Sequence, residues 1–165
     1  MRLMKVILVL VLFLGLTACT TSKFKTYNGP EVTQVIVEKS TRKMWLMHNR
    51  EVLKQYDIHL GFAPRGHKTE EGDGKTPEGT YIIDRRNPNS RFHLSLGIDY
   101  PNAEDIAQAR ARGVSPGGDI FIHGRPKPWR NGEDDWTWGC IAVTDAEMED
   151  IYAMVQNGTP ITILP

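Results

Sequence analysis

Apolar positions along this chain fall in short alternating or β-branched runs separated by turn residues. Residues 32–38 carry Val32, Thr33, Val35, Ile36 and Val37, residues 43–47 form a second run, and residues 51–60 a third. His48, Asn49 and Arg50 suit a hairpin turn between the last two. Further strands are predicted over residues 80–84, over the alternating residues 91–96, over the apolar run ending at His123, and over residues 160–164. Two segments have helical signals instead. Asn102 can cap a helix over residues 103–112, rich in Ala, Glu, Gln and Arg, with Gly113 just past its end. Thr144 and Glu147 form a capping box opening a second helix to about Gln156, with Ile151, Met154 and Val155 facing inward. The pattern predicts a mainly β (α+β) domain over residues 32–165 with two or three peripheral helices.

Residues 61–79 break the pattern, being dense in glycine, proline and charge. Such a stretch is either an unconstrained surface loop or a substrate-facing loop that needs unusual backbone angles. His67 is the histidine of that stretch, and it is read either as a polar loop residue or as a substrate contact.

The chemistry concentrates between Asp119 and Asp145. Asp119-Ile120-Phe121-Ile122-His123-Gly124 predicts a buried strand that delivers an imidazole to its mouth, with Gly124 allowing close approach. Residues 125–135 contain two prolines and turn residues, which predicts a loop. Thr137-Trp138-Gly139-Cys140 then leads into Ile141-Ala142-Val143, so Cys140 lies where a loop re-enters the sheet and backbone N–H groups can face a substrate oxygen. A thiol with a pKa of about 8.5 is mostly protonated near neutrality, and a neighbouring imidazole can take its proton as it attacks a carbonyl. The competing reading makes Cys140 a small buried hydrophobe and His123 a satisfied core histidine. No second Cys stands near Cys140 and no Cys-x-x-Cys or His-x-x-x-His spacing occurs there, so neither a metal site nor a cofactor is expected. A redox role lacks a resolving Cys.

His123-Gly124 followed by Thr137-x-Gly139-Cys140 resembles the signature of the L,D-transpeptidase catalytic domain, the YkuD-type family. The resemblance extends through residues 61–68 and 71–81, Ser95-Leu96 and Tyr100-Pro101-Asn102, and covers most of residues 32–165. Trp138 stands where the family usually has His, and Ala142 where it usually has Arg; the variant Gly-Cys-Ile-Ala-Val-Thr-Asp is similar to a murein transpeptidase and hydrolase subgroup. The resemblance implies a β-sandwich floor under the site, residues 61–79 as a cleft wall, and Cys140 as nucleophile with His123 as base. It also implies a backbone carbonyl near Gly124 orienting the imidazole. An oxyanion hole is expected from the Trp138, Gly139 and Cys140 N–H groups, and Trp138 can instead floor the cleft. Thr137, His67 and Arg125 are the expected substrate contacts, Arg125 either replacing the absent arginine or remaining a solvated loop charge. The implied substrates are peptidoglycan stem peptides, attacked through a Cys140 thioester. An amine acceptor gives a cross-link, a lipoprotein lysine gives anchoring, and water gives carboxypeptidase activity or amidase release of murein-linked lipoprotein. A non-catalytic murein-binding lipoprotein is the reading from another class, which the thiol and base argue against.

The start of the chain changes where this chemistry would occur. Arg2 and Lys5 precede an apolar stretch over residues 6–16, well short of the ~20 residues that span a bilayer. Leu16-Thr17-Ala18-Cys19 resembles a bacterial lipoprotein signal, so residues 1–18 are expected to be removed, Cys19 lipidated, and residues 19–31 to act as a tether; the competing reading is an ordinary signal peptide cleaved near Ala18 with Cys19 incidental. The expected location is the periplasmic face of the envelope, with Thr20 resembling outer-membrane sorting. The chain has only 2 Cys, so lipidation of Cys19 leaves Cys140 without an intramolecular partner. Charge is balanced at 20 Lys+Arg against 20 Asp+Glu, and without Arg2 and Lys5 it is 18 against 20. Nothing there points to nucleic acid.

Overall fold

A computed structural model describes residues 22–125 and 135–165. The expected signal sequence, Cys19, and residues 126–134 of the stretch expected as a loop lie outside the described residues. Eight strands form one mixed sheet: β1 (Gln34–Glu38), β2 (Lys43–His48), β3 (Glu51–Asp57), β4 (Gly79–Asn87), β5 (Ser95–Ile98), β6 (Phe121–His123), β7 (Ile141–Ala142) and β8 (Pro160–Leu164). Their order is β3-β2-β1-β8-β4-β5-β6-β7. β1 pairs in parallel with β8, and β6 with β7; the other neighbours are antiparallel. The helices are α1 (Ala103–Arg112) and α2 (Asp145–Met154).

Alternation decides which faces turn inward. Val35 and Val37 of β1, Met44 and Leu46 of β2, Tyr81 and Ile83 of β4, and Ile161 and Ile163 of β8 are buried, with Met148, Ile151 and Met154 of α2 in the same core. The sandwich expected from the resemblance is realised by this single sheet curling into a half-barrel. Beyond β3 the chain continues to His59, whose N–H and C=O exchange hydrogen bonds with Ala142 of β7, both at 2.9 Å. The extension of one outer strand thus meets the other outer strand.

Two departures from the expected strands bear on the site. Residues 58–60, expected as the end of the third strand, leave β3 to make that closure. Residues 91–94, expected as strand, form a turn before β5, because His93 adopts a left-handed φ of 69°. The Gly124 N–H then reaches the carbonyls of both Phe92 (3.1 Å) and Leu94 (3.2 Å).

Both helices begin at the expected caps. Asn102 and Asp105 form a reciprocal capping box on α1, and Gly113 ends it at φ 70°. Thr144 and Glu147 do the same for α2, which ends at Met154, slightly before the expected Gln156. α1 buries only Asp105 and Ala109. Its caps and polar contacts, more than an apolar face, hold it in place.

Candidate active site

Parallel pairing of β6 with β7 sets His123 opposite Ala142, bringing the ends of two short strands side by side. Cys140 immediately precedes β7. Both residues line one cavity of about 530 Å³, together with Phe92, Ser95, Asp119 and Phe121. His123 is buried and Cys140 half-buried, so the imidazole is fixed from behind while the sulfur has access to the cavity.

The imidazole's orientation follows from its partner. A carbonyl only accepts, so the 2.6 Å contact with Gly124 O makes Nδ1 the donor, which in the neutral ring leaves Nε2 unprotonated. Phe92 stacks on the ring at 4.4 Å between centroids, inclined by 28°, and Trp136 meets it edge-on at 5.7 Å. Burial holds the His123 pKa below its ordinary value, against a raising contribution from the Gly124 hydrogen bond. Burial likewise pushes the Cys140 thiol up; the Phe121 N–H works the other way and the Asp119 carboxylate adds to the rise. Both shifts favour the neutral forms, a thiol and an imidazole that line the same cavity. Cys140 Sγ donates to Asp119 O at 3.5 Å, and Asp119 itself holds a left-handed φ of 56°.

Two glycines make this packing possible. A Cβ on Gly124 would stand 2.5 Å from Asp145 Oδ1 and 2.8 Å from Phe92 O. A Cβ on Gly139, at φ 118°, would stand 2.5 Å from Lys75 O. The second contact shows what residues 61–79 do: they pack beneath the Cys140 turn, with Gly61 bridging to Thr137 and Phe62 N–H donating to Thr137 O at 3.0 Å. Within that segment Asp73 accepts from the N–H groups of Thr69, Glu70 and Lys75 and from Lys68 Nζ. Burial alone would raise its pKa, yet these donors together lower it, so the turn closes around a carboxylate.

Several expected contacts are placed differently. Thr137 is buried, its hydroxyl donating to Cys140 O (2.7 Å) and accepting from Gly139 N–H (3.1 Å), so it shapes the turn that carries Cys140. The same bond engages the Gly139 N–H, one of the three expected oxyanion donors, with the Thr137 hydroxyl. His67 stands in a different cavity, accepting from Glu78 N–H through Nδ1 at 3.0 Å and facing Asp105 Oδ1 through Nε2 at 3.3 Å. It is a structural link to α1. Trp138 is 70% exposed and meets Phe62 edge-on at 4.9 Å, forming an aromatic rim beside Cys140 instead of a floor. Arg125 donates its N–H to Asp145 Oδ1 at 3.0 Å. Nothing in the sequence singles out Phe92, Trp136 or Asp119 for this site. A lone aromatic or carbonyl carries no local signal of which distant ring or thiol it will meet.

Among the described residues, no group of three or more His, Cys, Asp or Glu side chains could hold a metal ion, and no helix is long and apolar enough to cross a membrane. The family model described as YkuD, L,D-transpeptidase catalytic domain, matches residues 33–163. The chain belongs to the L,D-transpeptidase YkuD family. A relative is YafK of Escherichia coli K12, named as a candidate L,D-transpeptidase, 30% identical over 151 residues that cover 86% of this chain and 56% of YafK. Pgp2, the helical cell shape determining protein of Campylobacter jejuni, has a similar structure: TM-score 0.63, 25% identity, 83% of this chain and 49% of that one. An L,D-transpeptidase from Mycobacterium smegmatis shares the fold at TM-score 0.55 and 15% identity, over 81% of this chain and 59% of that one. The chain thus spans about half the length of these family relatives.

Proposed function

We propose that this protein is an exported cell-wall L,D-transpeptidase that acts on peptidoglycan stem peptides through a Cys140 thioester. The observation that carries the reading is the shared cavity of Cys140 and His123, with the imidazole held by Gly124 O in the tautomer that can accept a thiol proton. His123 Nε2 takes that proton as Cys140 Sγ attacks the carbonyl of an L-residue joined to a D-residue. The Trp138 and Cys140 N–H groups are the donors available to the developing oxyanion. Collapse of the tetrahedral adduct breaks the C–N bond, the imidazolium protonates the leaving amine, and the acyl group remains on sulfur. An incoming amine or water then attacks the thioester, and His123 takes its proton in turn.

Charge at the cavity refines the substrate. Arg91 is the cationic side chain lining it among the described residues, and Asp119 the anionic one. A stem peptide carries both carboxylates and amines, and Arg91 supports carboxylate recognition better than Arg125, which is not among the lining residues. A signal peptide over residues 1–18 and a lipid on Cys19 would place the domain at the periplasmic face of the envelope, the location that this substrate requires.

Incubation with purified muropeptides followed by mass analysis tests the function. Cross-linked dimers are the expected product; shortened stems alone would make the protein a carboxypeptidase, and released lipoprotein peptides an amidase. His123→Ala should cut turnover by roughly two to four orders of magnitude. Unchanged muropeptides with folded wild type would overturn the enzymatic reading.

A further inference from the structure

The described part of the expected 19–31 tether lies against the domain. Lys23, half-buried, donates from one ammonium to Pro88 O at 2.6 Å and to His93 O at 3.1 Å. These carbonyls stand at the two ends of residues 88–93, which include the cavity-lining Ser90, Arg91 and Phe92. An ammonium has several donors on one atom, so a single lysine can tie two loop ends together. Phe92 is the residue that stacks on His123, and its carbonyl accepts the Gly124 N–H. His93 closes the loop in the left-handed region at φ 69°, a backbone state that a non-glycine residue keeps only when neighbours hold it. The neighbours are Lys23 on its carbonyl and Glu149 Oε1, 2.9 Å from its ring. Further along, Lys25 donates to Asp150 Oδ1 at 2.7 Å and lies 3.4 Å from Glu149 Oε2, while Phe24 packs on Tyr152. The segment therefore grips both α2 and the loop that α2 supports.

We propose that residues 23–27 form a strap, and that Lys23 is a positioning residue for His123. By fixing both ends of residues 88–93, Lys23 keeps the Phe92 ring on the imidazole and the Phe92 carbonyl on Gly124 N–H. Gly124 O in turn sets the imidazole tautomer. The positioning itself is independent of the proposed function; only its effect on rate rests on His123 acting as base.

The test compares the full-length chain with its Lys23→Met and Lys23→Arg variants. The NMR resonance of His123 Cε1–H reports the ring current of the stacked Phe92, and iodoacetamide alkylation reports the reactivity of Cys140. The expected result is that Lys23→Met moves the His123 resonance toward the position of an unstacked histidine and slows alkylation about tenfold, since misplacing a reacting group by an ångström can cost more than that. Lys23→Arg, which keeps two-carbonyl donation, should restore both. A shifted resonance with unchanged alkylation would uphold the positioning role while telling against His123 as base. An unmoved His123 resonance in Lys23→Met, whatever the rate or melting temperature, would overturn the strap.

Discussion

At the scale of single residues, the site depends on neutralising two titratable groups by burial and then aiming them. The raised thiol pKa of Cys140 means that its neutral form persists to higher pH than a free cysteine's. Alkylation by iodoacetamide should therefore climb with pH along a limb above the free-thiol value of about 8.5. A limb below that value would mean a preformed thiolate and imidazolium. Cys140→Ser should abolish turnover on muropeptides, because a lone imidazole with a carbonyl partner activates a hydroxyl poorly. Stability should change by no more than about 1 kcal/mol, measured by denaturant titration; near-wild-type turnover in this variant would sink the thioester mechanism.

Elements matter here mostly through their ends. β6 and β7 are 3 and 2 residues long, too short to hold their places by pairing alone. They are fixed by what packs across them: the 61–79 segment under Gly139, the Phe92 carbonyl over Gly124, and the capped start of α2 just beyond Val143. Gly124→Ala should cost about 1–3 kcal/mol, the usual penalty for overpacking, because the added methyl meets Asp145 Oδ1 and the rigid Phe92 carbonyl. Chemical denaturation measures it, and a neutral result would show that the loop yields. Thr144→Ala removes the hydroxyl that accepts Glu147 N–H at 3.3 Å and should cost about 1 kcal/mol. Its melting temperature should fall while Cys140 alkylation stays close to wild type.

For the whole molecule, the question is how the domain meets its surroundings. If Cys19 carries lipid, Cys19→Ala should move the protein from the membrane fraction to a soluble or unprocessed form, without loss of the domain's folded signal. Continued membrane association without lipid labelling would remove the anchor from the account. The docked segment adds a geometric constraint, because Lys23 lies four residues after Cys19. An extended chain covers at most about 3.3–3.6 Å per residue, so a lipid at Cys19 would keep the cleft-lining loop close to the bilayer surface.

The linear chain by itself determined most of the strands and both helices, both N-caps, Gly113 as a helix stop, and the Cys140 and His123 candidates, because alternation, caps and short motifs are local signals. The Thr137-x-Gly139-Cys140 spacing even carried the family. Tertiary structure alone decided the direction of Thr137's hydroxyl, the exile of His67 to α1, the aromatic walls supplied by Phe92 and Trp136, and the docking of Lys23. Each depends on partners that are distant in sequence or on a turn whose hydrogen bonds have several local solutions. No periodicity encodes such choices, since they are made when the sheet curls and the chain beyond β3 meets β7 at His59 and Ala142.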